Sequence, residues 1–514
     1  MQIHCLVETE NFPRIRDRPT YDDDGDEGSI VSSSFQDGPL SDFGEGSVTP
    51  PPLARTPEPP RKWRDLFWLA VFIVHLLGLG FVLVVLGLNR FRKLDRLNLN
   101  RYTQPTKEYQ TEEFWPIYAV AGGVGALLGG VSLALICSRP KQVIKVAVYS
   151  ITTYLAVISV FCFRGHEIFW GITFAVGALL QFLYTLSVMD RLPFTILVMQ
   201  KAVKMVWEIR AASRVSYIFS ALLLLWITLW SFGVSGVVAS GIGDGGRWWL
   251  LLVFSISLFW TGAILCNLVH VTIAGVIVLV LAHNGQDAPP MPSRPLLRSL
   301  RHAISTSLGS ICYGSLFTAA IRTLRWAIRG LRSRIGNNEC LLCCVDFLFN
   351  LVETLVRFFN KYAYVEVAVY GKSFNCSARD AWELFQSTGI EALVAYDLSG
   401  AVLLMAVILG GLVTGSCVGI WTWFKRRDRF VMVGSTSMIL GMILVGMSLV
   451  VVESAITSIY ICYAVDPSLI SKWDAEFADQ IAETLHQRLQ HRSGRDIPAH
   501  MVGVQLPNPA PEMV

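Results

Sequence analysis

Eight stretches of this chain are apolar over enough residues to cross a bilayer, and that fixes the solvent in which it folds. They are Leu66–Leu88, Trp115–Ile136, Val143–Phe163, Ile168–Val188, Tyr217–Ala239, Trp248–Ala282, Leu398–Phe424 and Val431–Ile461. A helix needs about 20 such residues to span a hydrocarbon layer of roughly 30 Å. No water reaches the peptide groups there, so the runs must be helical. The fold class is an all-α polytopic membrane protein. A soluble enzyme is excluded, and transport or conduction among the helices is the default. A 53% hydrophobic share against 16% charged residues agrees.

The formal charge of +4 conceals a division. Residues 1–60 hold twelve Asp/Glu and four Arg, a net of −8, so the rest of the chain carries +12. With the acidic run Asp22–Glu27, the serines of Ser29–Ser34 and the prolines of Pro50–Pro60, residues 1–62 are expected to be a disordered cytosolic tail. Ser41-Asp42, Thr49-Pro50 and Thr56-Pro57 are phosphorylation candidates, and the tail is a candidate site for cytosolic partners. Residues 63–465 form the expected transmembrane domain and 466–514 a polar tail, in which Asp474–Arg492 has the pattern of a short amphipathic helix. No positively led apolar stretch with a small-residue cleavage site stands at the start, so the first helix is expected to be an uncleaved signal-anchor.

Lys and Arg in the loops set orientation. Arg61, Lys62 and Arg64 precede the first helix; Arg139, Lys141 and Lys145 follow the second; Lys201, Lys204, Arg210 and Arg214 follow the fourth; Arg294, Arg298 and Arg301 follow the sixth. The intervening loops hold one Arg each, which places the N-terminus in the cytosol; only the first loop, with Arg90, Arg92, Lys93 and Arg96, dissents. Beyond residue 300, Ile304–Ile321 and the charge-bearing Leu341–Tyr370 leave two counts open. If both cross, there are ten helices and both termini are cytosolic. If Ile304–Ile321 is re-entrant, nine remain and the C-terminus is outside, which the charges Arg322 to Arg334 and Lys425 to Arg429 favour. The nine-helix count also exposes the sequon Asn375-Cys376-Ser377 to the lumen, where it would accept a glycan.

Several segments together carry a resemblance. They are Phe259-Trp260 with Asn267 to Gly275, the glycine-serine run Ser307 to Leu316, Phe358-Phe359-Asn360-Lys361-Tyr362-Ala363-Tyr364, Val369 to Ala378, Arg191-Leu192-Pro193-Phe194 and Cys462-Tyr463-Ala464-Val465-Asp466. Over roughly residues 63–470 the chain resembles the choline transporter-like family of solute carriers, which includes fungal plasma-membrane members. The resemblance implies about ten helices, cytosolic termini, a plasma-membrane location and transport of choline or a related amine. It outweighs the charge count. The first loop, Asn89–Phe114, is short where the animal members carry a large ectodomain.

Polar side chains inside apolar helices are costly and face a cavity or a partner helix. Here they are His75, Asn267, His270, Glu353, Glu366 and Glu453. Asn267 and His270 lie three apart on one helix face, and Trp260 lies seven before Asn267 on nearly the same stripe. A quaternary ammonium has no N–H to donate, so aromatic faces and a nearby carboxylate recognise it. Trp260, Asn267, His270, Tyr313 and Glu453 are therefore the candidate substrate-binding residues, with Trp170, Trp226 and Trp230 as further faces. The competing reading for Asn267 and His270 is an interhelical hydrogen bond without substrate contact.

Trp248–Ala282 would be roughly 50 Å long as a straight helix, so it tilts, projects into the cytosol or breaks near Gly262 or Asn267–Gly275. Ala121, Gly125 and Gly129, and again Gly411, Gly415 and Gly419, mark ridges of close helix packing. No Gly-x4-Gly-Lys-Ser/Thr loop is present, the cysteines Cys340, Cys343 and Cys344 lack a second ligand pair, and no cofactor or nucleic-acid partner is expected. The expected function is ATP-independent, alternating-access transport of a small cation such as choline rather than catalysis. A channel, or a membrane scaffold whose acidic tail recruits partners, is the alternative.

Overall fold

The computed structural model describes residues 63–87, 115–209, 211–239, 244–284, 291–335, 339–425, 427 and 429–496. The acidic tail, the first loop and the proline-rich C-terminal end lie outside the described residues, as do the side chains of Cys340, Cys343 and Cys344. All regular structure among the described residues is helical, with no strand. The helices are α1 Leu66–Val82, α2 Trp115–Ser138, α3 Pro140–Arg164, α4 Ile168–Val188, α5 Leu192–Glu208, α6 Ala211–Ala239 and α7 Asp244–Ala282. They continue as α8 Pro295–Ile304, α9 Leu308–Ile335, α10 Glu339–Tyr370, α11 Phe374–Thr388, α12 Glu391–Tyr396, α13 Ser399–Lys425, α14 Phe430–Val465, α15 Pro467–Trp473 and α16 Ala475–Asp496.

Helix α14 is the hub. It is 36 residues long, and both predicted small-residue ridges pack against it. Gly125 and Gly129 of α2 lie on Gly441, Leu444 and Ser448, while Gly411 and Gly415 of α13 lie on Met438 and Met442. A Cβ at Gly415 would come within 2.8 Å of the Gly434 carbonyl oxygen, so the approach is backbone to backbone. Extrapolating from these contacts and from the Ser216 hydroxyl donating to the Met447 carbonyl, α2 ends, and α6 and α13 begin, about level with Glu453 of α14. Beyond that level α14 stays buried from Ser454 to Ala464, covered by α5, α7, α15 and neighbouring short helices.

Helix α7 is continuous over 39 residues, so of the alternatives left open by its length a break at Gly262 or Asn267–Gly275 does not occur. Its inner half passes the same level and is covered in turn: Ser299 of α8 donates to the Thr272 carbonyl at 2.8 Å. The interrupted element is instead α8–α9, bent by 67° at residues 305–307.

Among the described residues, eight helical segments are long and apolar enough to cross, and nine if the bent α8–α9 pair counts as one span. Hydrogen bonds bear on α10, whose charges exclude it from that count. Arg322 of α9 meets Glu353 of α10 at 2.7 Å, and the Asn360 amide reaches the Gly314 carbonyl at 3.1 Å, so α9 and α10 are an antiparallel hairpin. Both ends of this hairpin return to the start of α1. The Asp65 carboxylate accepts from the Ser310 hydroxyl at 2.7 Å and from the Phe374 N–H at 3.0 Å. A hairpin whose ends share a face crosses twice or not at all, and at 28 and 32 residues its arms are long enough to cross. That geometry agrees with ten helices rather than nine, and it sets the exposed Asn375 beside Asp65, on the N-terminal face.

The C-terminal segment docks on the ends of the bundle. Lys201 of α5 pairs with Asp474, the Asn284 amide donates to the Lys472 carbonyl at 3.2 Å, and Phe477 and Ile481 of α16 are fully buried. The amphipathic helix expected near Asp474 is thus present, with its apolar stripe covered.

Candidate functional site

The residues singled out in the sequence fall at two depths along α7. The outer group is aromatic. Trp68, Phe72 and His75 of α1 are spaced four and three apart, which puts them on one stripe, and that stripe faces α7 and α9. The Trp260 indole is met edge-to-face by Phe72 at 5.1 Å and by the tilted His75 ring at 5.4 Å. Its N–H donates to the Cys312 carbonyl at 2.9 Å. Tyr313 stacks on Trp68 with ring centroids 4.8 Å apart, and the edges of Phe317 and Phe374 close around it. His75 Nε2 is buried with no hydrogen-bond partner among the described residues. An unpaired polar atom at this depth costs about 1–3 kcal/mol.

The inner group is polar. Asn267 donates to the Ser315 hydroxyl at 2.9 Å and to the Tyr364 hydroxyl at 3.1 Å, tying α7 to α9 and α10. Gly314 makes room for this: a Cβ there would sit 2.6 Å from the Tyr364 oxygen. One turn further on, His270 Nε2 lies 2.9 Å from the Lys361 carbonyl and Nδ1 lies 2.8 Å from the Ser454 hydroxyl. A carbonyl only accepts, so Nε2 carries the proton and the ring bridges α10 and α14. The interhelical hydrogen bonds that competed with substrate contact in the sequence reading are therefore made by both residues. Glu453, next to Ser454, has its carboxylate 3.9 Å from the Lys361 ammonium.

Trp260 and His270 are ten residues apart, about 15 Å along a helix. A small cation therefore cannot touch Trp260 and the His270–Glu453 level at once. The structure brings Trp260 near Tyr313 through adjacent residues 312 and 313, and it brings Asn267, His270 and Glu453 into one polar belt.

The remaining candidates are elsewhere. Glu353 is held by Arg322 and by Arg325, at 2.7 and 2.9 Å. Trp230 donates to the Phe254 carbonyl at 2.7 Å, and Trp226 packs beside it. Trp170 is exposed on the periphery. Glu366 is buried.

Sequence reasoning missed Lys361, Tyr364, Asp65 and Asp397. Lys361 and Tyr364 stood inside a segment already quoted for its resemblance, and a lysine amid apolar residues was the available signal. Asp397 binds its own helix start, accepting from the Ser399 N–H at 3.0 Å. No local pattern distinguishes it or Asp65 from ordinary helix-start aspartates.

A model of the plasma-membrane choline transporter family matches residues 172–468, more than half of the chain. The chain belongs to that family. Among its relatives, a CTL-like protein of Dictyostelium discoideum is 26% identical over 450 residues, covering 84% of this chain and 76% of that protein. Protein PNS1 of Cryptococcus neoformans is 24% identical over 378 residues, covering 69% of this chain and 68% of its own. Protein PNS1 of Eremothecium gossypii reaches 32% identity over 186 residues, 35% of this chain and 33% of its own. The family match contains the whole polar belt with Trp260 and Tyr313, and it leaves α1, which supplies Trp68, Phe72 and His75, outside. As a member of a transporter family with eight to nine apolar spans, the protein is a multi-pass membrane protein.

Proposed function

We propose that this protein is a secondary transporter that moves a small organic cation, choline or a related amine, across the plasma membrane by alternating access and without ATP hydrolysis. The reading rests on the family's name and on one arrangement: an aromatic station around Trp260, followed about 15 Å further along the same helix by a polar belt ending in the Glu453 carboxylate. A quaternary ammonium gains about 0.5–2 kcal/mol from each aromatic face it touches, and a carboxylate supplies its counter-charge. His75 Nε2 suits the hydroxyl end of such a substrate, since that hydrogen bond would satisfy a buried polar atom.

In this conformation the faces of Trp260 and Tyr313 are covered by Phe72, His75 and Trp68. Admission of a cation at the aromatic station therefore requires α1 to part from α7 and α9. The bend at residues 305–307 is the natural hinge, and the glycines of α2 and α13 let those helices approach α14 closely.

Purified protein in liposomes tests the reading. Saturable uptake of labelled choline is expected, reduced by Trp260→Ala and by Glu453→Gln. Flux that fails to saturate would indicate a channel, and no flux for choline or related amines would refute transport.

A further inference from the structure

Resting on the transporter reading above, we propose that Lys361 is a tethered competitor for the transported cation: its ammonium occupies the cation position at Glu453 when substrate is absent and is displaced when substrate arrives. The two features that recognise a quaternary ammonium are an aromatic face and a nearby carboxylate. The Lys361 ammonium has both, lying 5.0 Å from the centroid of the Tyr362 ring and 3.9 Å from Glu453. A side chain of the protein is thus placed as a bound organic cation would be.

The pair is also built to separate. Three other ion pairs of the hairpin and the turn after it are tighter, with Arg322 and Arg325 at 2.7 and 2.9 Å from Glu353 and Lys372 at 2.6 Å from Asp380. At 3.9 Å, Lys361 and Glu453 attract each other without a hydrogen bond. Both side chains keep some access, 26% for Lys361 and 35% for Glu453. The Lys361 backbone, in contrast, is anchored, because its carbonyl receives the His270 imidazole. Movement is confined to a flexible four-carbon stem, so the ammonium can swing off Glu453 without disturbing α10.

Competition predicts effects of opposite sign. In titration calorimetry on purified protein with choline and with tetramethylammonium, Lys361→Met is expected to tighten binding roughly two- to fivefold, the range of an ion pair of this exposure. Glu453→Gln should weaken it on the order of tenfold. Adding Lys361→Met to Glu453→Gln should change nothing further, and Lys361→Arg should keep wild-type affinity. Weaker or unchanged binding by Lys361→Met, in protein whose wild type binds, overturns the competitor role and leaves the transporter reading intact. No binding by the wild type overturns that reading, and this inference with it. If Lys361→Met does not fold, the wild type still decides. Choline should raise the acylation of Lys361 by an amine-directed reagent, read by mass spectrometry, and an unchanged or lower yield overturns the proposal.

Discussion

Asp65 makes a prediction whose size can be worked out from its contacts. It stands just before α1 with φ of 52°, in the left-handed region, and its carboxylate accepts from Ser310 and from the Phe374 N–H at the start of α11. Hydrogen bonds to a charged group contribute about 1.5–3 kcal/mol each, and half-burial puts these near the lower figure. Asp65→Ala loses both and keeps the backbone strain, so it should cost about 3 kcal/mol. Asp65→Gly also loses both but sheds roughly 1 kcal/mol of left-handed strain, for a cost of about 2 kcal/mol. Asp65→Asn keeps an accepting oxygen and tolerates the backbone, at about 1 kcal/mol. Thermal unfolding in detergent should therefore rank the proteins wild type, Asn, Gly, Ala. Gly309→Ala should resemble the alanine variant, because its Cβ would stand 2.6 Å from the Asp65 carbonyl oxygen. If Asp65→Gly is as stable as wild type, or Ala equals Asn, the clamp joining α1 to the α9–α10 hairpin does not exist as described.

Three further outcomes follow from the same geometry. Asn375 shares a face with Asp65, so expression in eukaryotic cells should give protein whose mass glycosidase treatment leaves unchanged; a glycan at Asn375 would invert the topology. Glu353→Gln leaves Arg322 and Arg325 facing each other within the hairpin, which at their partial exposure should cost about 1–3 kcal/mol in unfolding free energy, more than Lys372→Gln on the surface. Burial opposes ionisation of Asp474, but the hydrogen bonds from Lys201 and the Phe477 N–H, with the Lys201 and Lys204 charges, outweigh it and hold its carboxyl below the usual 3.8. A depressed carboxylate stabilises above its ordinary value and loses that contribution only as pH falls through the folded one. Hydrogen exchange in α16 should thus be level from pH 5 to 8 once corrected for intrinsic rates, and faster throughout in Asp474→Asn.

The membrane helices were legible because a bilayer admits only long apolar runs, and the sequence limits of Ile168–Val188 coincide with those of α4. The glycine ridges were legible too, since spacing alone puts Gly411 and Gly415 on one face. Helix α10 was the hard element: Glu353 and Lys361 look foreign to lipid until Arg322, Arg325 and Glu453 on other helices are known, and those partners are a matter of tertiary structure. The continuity of α7 could not be chosen over a break for the same reason. Its excess length is clothed by short helices that carry no transmembrane signal of their own, such as Pro295–Ile304. Of the candidate site, residue types and stripes could be read off, but the separation into two stations could not, because it depends on which rings of α1 lie against Trp260.

Uptake of labelled choline into proteoliposomes, compared between wild type, Trp260→Ala and Glu453→Gln, tests the central claim most directly. Saturable uptake by the wild type, lowered in both variants, is predicted. Sealed, correctly folded vesicles that move none of the amines offered, or variants that transport as well as the wild type, would contradict it.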